Sequence, residues 1–175
     1  NDEAIWSYSL IDPVFDYVVK LTGSNQQTYD IFGHSAGSQF VHRFFLFKEK
    51  TKANKIVTAN AGTYTALDFD IEFPYGIKDM GINNNRLKNI LVKELIIQLG
   101  EEDIDPKDKY LTVTPAAMKQ GRFRLERGKY FYEVAKTQAE RLNTDFNWKI
   151  RTVPGVGHQN EKMAIDAADY LYGNR

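Results

Sequence analysis

The sequence predicts an α/β fold, a mostly parallel sheet with helices on both faces. Three observations point there. Short apolar or β-branched runs alternate along the chain with segments of helical period. One such run, residues 28–32, passes through Gly33-His34-Ser35-Ala36-Gly37 straight into a helix-prone stretch. Another, Leu95-Ile96-Ile97, is nearly continuous in apolar character, as expected of a strand covered on both faces.

The opening residues are mixed, with Trp6 and Tyr8 as anchors. Asp12-Pro13 reads as N-cap and first position of a helix in which Val14, Phe15, Val18 and Leu21 fall at helical spacing. Gly23-Ser24-Asn25 closes it. Residues 28–32 form the first strand, and residues 36–48 a helix that is apolar nearly all round. Ile56, Val57 and Thr58 mark the next strand, over 55–59, followed by an Ala61-Gly62-Thr63-Tyr64 loop. Pro74, Gly76 and Gly81 mark irregular structure, and residues 86–92 read as helix. A buried strand over 94–99 leads into Gly100-Glu101-Glu102-Asp103. Residues 107–127 are basic with few regular signals and read as a long loop. A helix over 128–143, a strand over 146–153 with Phe146, Trp148 and Ile150 on one face, a turn at 154–158 and a helix over 159–172 complete the chain. Trp148 is expected in the core.

Composition narrows the function. Of 175 residues, 42% are hydrophobic, enough for one domain with a real core. Lys plus Arg and Asp plus Glu number 23 each, so no net charge draws the chain to nucleic acid or to an anionic membrane. No apolar run could span a bilayer. There is no Cys, so disulfides and thiolate metal sites are excluded, and no His/Asp/Glu pair shows metal-ligand spacing. No metal or organic cofactor is expected. Neither compartment nor oligomeric state follows from the composition.

The chemistry is expected around Ser35. A strand, a sharp turn and a helix form a nucleophile elbow, with glycine two residues either side so that strand and helix can converge. A helix N-terminus there favours developing negative charge. A serine hydroxyl needs a base, and the base needs an acid to orient it. Of the three histidines, His34 adjoins Ser35 and cannot readily turn back to it. His42 lies about 10 Å down the helix and reads as a polar contact on its surface. His158 sits in a Gly-rich turn between strand and helix, where active-site groups of open α/β sheets gather. For the acid, Asp103 follows the strand at the same edge of the sheet, with Asp105 as its rival. Tyr64 and, beside the serine, His34 are candidates for contacting substrate. The Arg122-Phe123-Arg124 and Arg127 cluster reads as a solvated charged loop.

Gly33-His34-Ser35-Ala36-Gly37, Gly100-x-x-Asp103 and Gly157-His158 together resemble the α/β-hydrolase superfamily, over nearly the whole chain. Within it the sequence is similar to bacterial hydrolases related to polyhydroxybutyrate depolymerases, feruloyl esterases and dienelactone hydrolases. The resemblance implies a serine esterase that forms an acyl-enzyme from a small or polymeric ester. Ser35 would be the nucleophile, His158 the base, Asp103 the orienting carboxylate and the Ala36 N–H an oxyanion donor. A peptidase, thioesterase or lipase on the same triad, or a hydrolase-like binding or scaffold module without chemistry, are the alternatives. Members of the superfamily have further strands before the elbow strand and a loop among them that supplies a second oxyanion donor. Residues 1–175 are therefore expected to be a single domain truncated on its N-terminal side, with a half-built oxyanion hole and weak activity.

Overall fold

The computed structural model describes residues 6–173. After a 3-10 turn at Ser7–Leu10 the elements run α1 (Ile11–Thr22), β1 (Tyr29–His34), α2 (Ala36–Phe47), β2 (Ala53–Ala59), α3 (Asn84–Leu91) and β3 (Ile96–Gly100). They continue with α4 (Pro115–Gln120), α5 (Arg124–Leu142), β4 (Lys149–Val153) and α6 (Asn160–Tyr172). The strands form one parallel sheet in the order β1-β2-β3-β4. Each crossover steps one strand in the same direction, and crossovers of one hand must then share one face of the sheet. That face carries α2, α3 and α5, where Val41, Phe44 and Phe45 meet Ile56, Ile97, Leu99, Phe131 and Trp148. Among the described residues, α6 covers the other face, through Met163 and Ala167 against Val57, Ala59, Ile96 and Val153. This is the α/β architecture the alternation predicts, with helices on both faces.

Alternation along each strand explains the two cores. In β2, Ile56 and Thr58 face α2, while Val57 and Ala59 face α6. In β3, Gln98 points to the α6 side, where its amide donates to the Met163 carbonyl (3.2 Å) and the Asp166 carboxylate (2.6 Å). A fully buried polar side chain thus fixes α6 under the sheet centre.

Several boundaries differ from the sequence reading. Asp12 does not cap α1, which begins at Ile11 with Leu10 in the N-cap position. Its carboxylate instead accepts from the Tyr29 hydroxyl, the Thr51 hydroxyl and the Lys52 amide, tying α1 to the start of β1 and β2. The supposed loop 107–127 contains α4, which starts on a Thr114 cap with Pro115 at N1, and the first turn of α5. Glu94 and Phe146 lie outside the strands assigned to them. Trp6 and Tyr8 do act as anchors, edge-on to Phe47 and against Phe40 and Phe44. Among the described residues, no helix is long and apolar enough to cross a membrane.

Candidate active site

Ser35 stands between β1 and α2 with φ 56° and ψ −116°, left-handed backbone that a non-glycine residue rarely adopts. Its amide donates to the Ala59 carbonyl of β2 (3.0 Å), which holds the turn on the sheet. The turn demands Gly33: a Cβ there would lie 2.3 Å from the Gly37 carbonyl oxygen and 2.6 Å from Val41. Gly37 differs, because a Cβ there would meet nothing within 4 Å. The expectation that both glycines relieve a clash therefore holds for Gly33 alone. Although Ser35 is the N-cap residue of α2, its side chain makes no capping bond, which leaves the hydroxyl free.

That hydroxyl reaches His158, with Oγ 2.9 Å from Nε2. The opposite ring nitrogen, Nδ1, lies 2.7 Å from Asp103 Oδ2. A carboxylate accepts, so Nδ1 carries the proton and Nε2 is left to accept from the serine. The elements that deliver these residues explain the meeting. β1, β3 and β4 all end at the same edge of a parallel sheet, and each leads into the loop that carries one of them. Asp103, only 3% exposed, turns back on the end of β3 by donating its amide to the Gly100 carbonyl (3.2 Å). The rival Asp105 is not brought to the histidine; its carboxylate accepts from the Lys107 amide (2.8 Å).

A residue that sequence reasoning missed binds the two loops together. Asn60 follows β2 in left-handed backbone (φ 49°) and is fully buried. Its side-chain oxygen accepts from the Gly100 amide (2.9 Å), and its side-chain nitrogen donates to the Gly157 carbonyl (3.3 Å). The loops are packed so closely that a Cβ on Gly100 would sit 2.4 Å from the Val156 carbonyl oxygen. The signal in the sequence was an Asn directly after a strand, at the edge where active-site groups gather.

The other candidates divide. His34 lies over His158, ring centroids 4.5 Å apart and planes 37° apart. Burial, and then the nearby His158, push its pKa down to about 4, so it is neutral at pH 7. Its Nε2 is buried and finds no hydrogen-bond partner among the described residues. Tyr64, expected to line the site, is instead wholly buried, stacked on Phe131 at 4.8 Å, with its hydroxyl accepting from the Ala61 amide. His42 is not on the helix surface. Its Nε2 accepts from the Thr65 amide (3.0 Å), so Nδ1 donates to the Ser38 carbonyl (2.8 Å), and burial lowers its pKa to about 3. Arg122 is exposed as expected, but Arg124 and Arg127 are buried. Arg127 donates to the Gly62 and Gly121 carbonyls, stitching the loop after β2 to the start of α5. Arg124 donates to Asp103.

Ala36 is the first residue of α2, in the turn whose backbone N–H groups have no acceptor within the helix. Among the described residues, no group of three His, Cys, Asp or Glu side chains could hold a metal ion.

No protein-family model matches the chain, and no curated protein sequence matches it. Among solved structures it is similar to poly(aspartic acid) hydrolase-1 from Sphingomonas sp. KT-1, with a TM-score of 0.95 and 42% identity over 98% of this chain and 65% of that one. It is also similar to LpqC, a poly(3-hydroxybutyrate) depolymerase from Bordetella parapertussis, with a TM-score of 0.89 and 29% identity over 99% of this chain and 59% of that one. The chain therefore spans less than two thirds of the length of either. Its parallel sheet, the helices on both faces and these two likenesses make the fold that of an α/β hydrolase, resembling a poly(3-hydroxybutyrate) depolymerase.

Proposed function

We propose that this chain carries the catalytic centre of a serine hydrolase that cleaves carboxylic esters through an acyl-enzyme. The observation that carries the reading is the unbroken line from Ser35 Oγ to His158 Nε2 (2.9 Å) and from His158 Nδ1 to Asp103 Oδ2 (2.7 Å). Structural likeness to two hydrolases supports it independently of that geometry.

The reaction follows from the hydrogen-bond roles. Ser35 Oγ attacks the ester carbonyl carbon while His158 Nε2 takes the hydroxyl proton. The resulting oxyanion meets the Ala36 N–H and the N-terminal end of α2. Asp103 stays ionised, stabilises the imidazolium and holds its Nδ1–H in line. His158 then gives its proton to the leaving alcohol as the C–O bond breaks. Water repeats the sequence on the acyl-enzyme and regenerates Ser35. The base must be neutral, so activity declines as pH falls and His158 gains a proton.

The test is labelling with a fluorophosphonate probe together with ester turnover. The purified protein is expected to label at Ser35, and Ser35→Ala to lose labelling and about 10⁴-fold or more in kcat. An intact, folded protein that does not label would favour the scaffold alternative.

A second reading concerns the bond. The higher identity is to a poly(aspartic acid) hydrolase, 42% against 29% for the depolymerase. Poly(aspartic acid) is joined by amides, and the same Ser35 and His158 steps would serve, with the proton going to an amine. Turnover of poly(aspartic acid) and of 3-hydroxybutyrate oligomers, measured side by side, decides between amide and ester.

A further inference from the structure

Asp103 has two carboxylate oxygens, and each is occupied. Oδ2 accepts from His158, while Oδ1 accepts from Arg124 Nη1 at 3.2 Å. Arg124 opens α5 and is only 1% exposed. Its second terminal nitrogen, Nη2, donates to Asp108 Oδ1 at 3.0 Å. Asp108 lies nearer solvent, its side chain 25% exposed. His158, Asp103, Arg124 and Asp108 thus form one line of alternating charge leading from the base to the surface.

Stability does not account for this line. A buried ion pair roughly balances its own desolvation cost and adds little net stability. Arg124 Nε is also buried and finds no partner among the described residues, so the guanidinium is not fully satisfied. The arrangement does have two consequences at Asp103. A carboxylate gripped through both oxygens cannot rotate, so Oδ2 stays aimed at His158 Nδ1. The guanidinium also offsets part of the carboxylate charge that the imidazolium feels, and Asp108 in turn offsets part of the guanidinium.

We propose that Arg124 and Asp108 are positioning residues that fix the Asp103 carboxylate and set, with opposite sign, the pH range in which His158 acts as a base. The proposal rests on the serine-hydrolase reading above. Among the described residues, the titratable groups that act on His158 include Asp103 beyond β3, Asp108 farther along that loop and His34 at the elbow, with Arg124 on α5 behind Asp103. His34 is neutral above about pH 4 and does not compete in the working range.

Removing the positive charge with Arg124→Met leaves Asp103 uncompensated and favours the imidazolium. The acid limb of kcat/KM is expected to move to higher pH by about half a unit or more. With the second grip lost, kcat should also fall by about 10- to 100-fold, the size of one charge-assisted hydrogen bond. Arg124→Lys keeps the charge without the fork, so its limb should stay near wild type while part of kcat returns. Removing the negative charge with Asp108→Asn leaves the guanidinium less compensated, and the limb should move to lower pH by a few tenths of a unit.

The experiment is the pH dependence of fluorophosphonate labelling and of ester turnover for the wild type and the three variants. Limbs displaced in opposite directions by Arg124→Met and Asp108→Asn support the proposal. If Arg124→Met does not fold, Asp108→Asn decides alone, since Asp108 is partly exposed and its loss leaves the core intact. A limb that does not move, or moves to higher pH, in Asp108→Asn overturns the proposal. Failure of the underlying reading looks different: the wild type itself then neither labels at Ser35 nor shows an acid limb.

Discussion

Helices α1 and α2 flank β1, and each has 12 residues. Seven residues of α2 are buried, and none of α1. Both helices carry apolar residues at helical spacing, yet Val14, Val18 and Leu21 of α1 are exposed, Leu21 by 70%. The difference lies in placement. α2 lies over β1 and β2 and shares its core with α5, through Phe44, Phe45 and Phe131. α1 is held at the rim by polar bonds from Asp12, by the Asp16–Lys52 ion pair, by Phe15 against the Tyr29 ring and by Ile11 at the edge of the core. Periodicity shows that a helix has an apolar face, but only topology shows what covers it.

Substitutions in the elbow and in the two helices separate these contributions. The largest effect is expected inside the elbow. Gly33→Ala forces a Cβ into the Gly37 carbonyl and Val41, so the turn must shift; a loss of about 3 kcal/mol or more and of Ser35 labelling is expected by denaturant titration and probe. Gly37→Ala meets open space and should be neutral or stabilise by up to about 1 kcal/mol. Next comes packing. Phe44→Ala in α2 should cost about 3–5 kcal/mol, whereas Leu21→Ala in α1 should stay within about 0.5 kcal/mol. A cost above about 1 kcal/mol at Leu21 would show that another surface covers α1 in solution.

A pH slope is expected from α2 as well. His42 has a folded pKa of about 3, below the ordinary histidine value of 6.5, so the unfolded chain takes up its proton first. Its contribution is whole above pH 6.5 and is lost as pH falls toward 3, by up to about 1.4 kcal/mol per pH unit. His42→Gln should flatten that part of the stability–pH curve. A slope that survives the substitution would assign it to other groups.

What was legible depended on how local its cause was. The elbow could be read at residues 29–47 because strand, turn and helix are contiguous and Gly33 answers a contact four residues away. Asp103 and His158 could be placed at the sheet edge because each follows a strand, yet nothing local separated Asp103 from Asp105. Arg124, Asn60 and His42 were missed or misread for the opposite reason. A basic run such as Arg122-Phe123-Arg124 looks solvated until the crossover from β3 lays Asp103 and Asp108 against it. Likewise His42 became a core residue only because the loop after β2 folds its Thr65 amide over the helix. The same loop carries Tyr64 into the core.

The distance along the chain between the reacting groups has a consequence for time. Ser35 and His158 are separated by 123 residues, and Asp103 and His158 by 55. They meet only after β1, β2, β3 and β4 are all in parallel register, and pairings between distant segments form slowly. The helices can gain their circular-dichroism signal well before that register is complete. Ser35 would thus serve as a clock within the molecule, its reactivity rising during refolding only when the last strand docks, behind the appearance of helix.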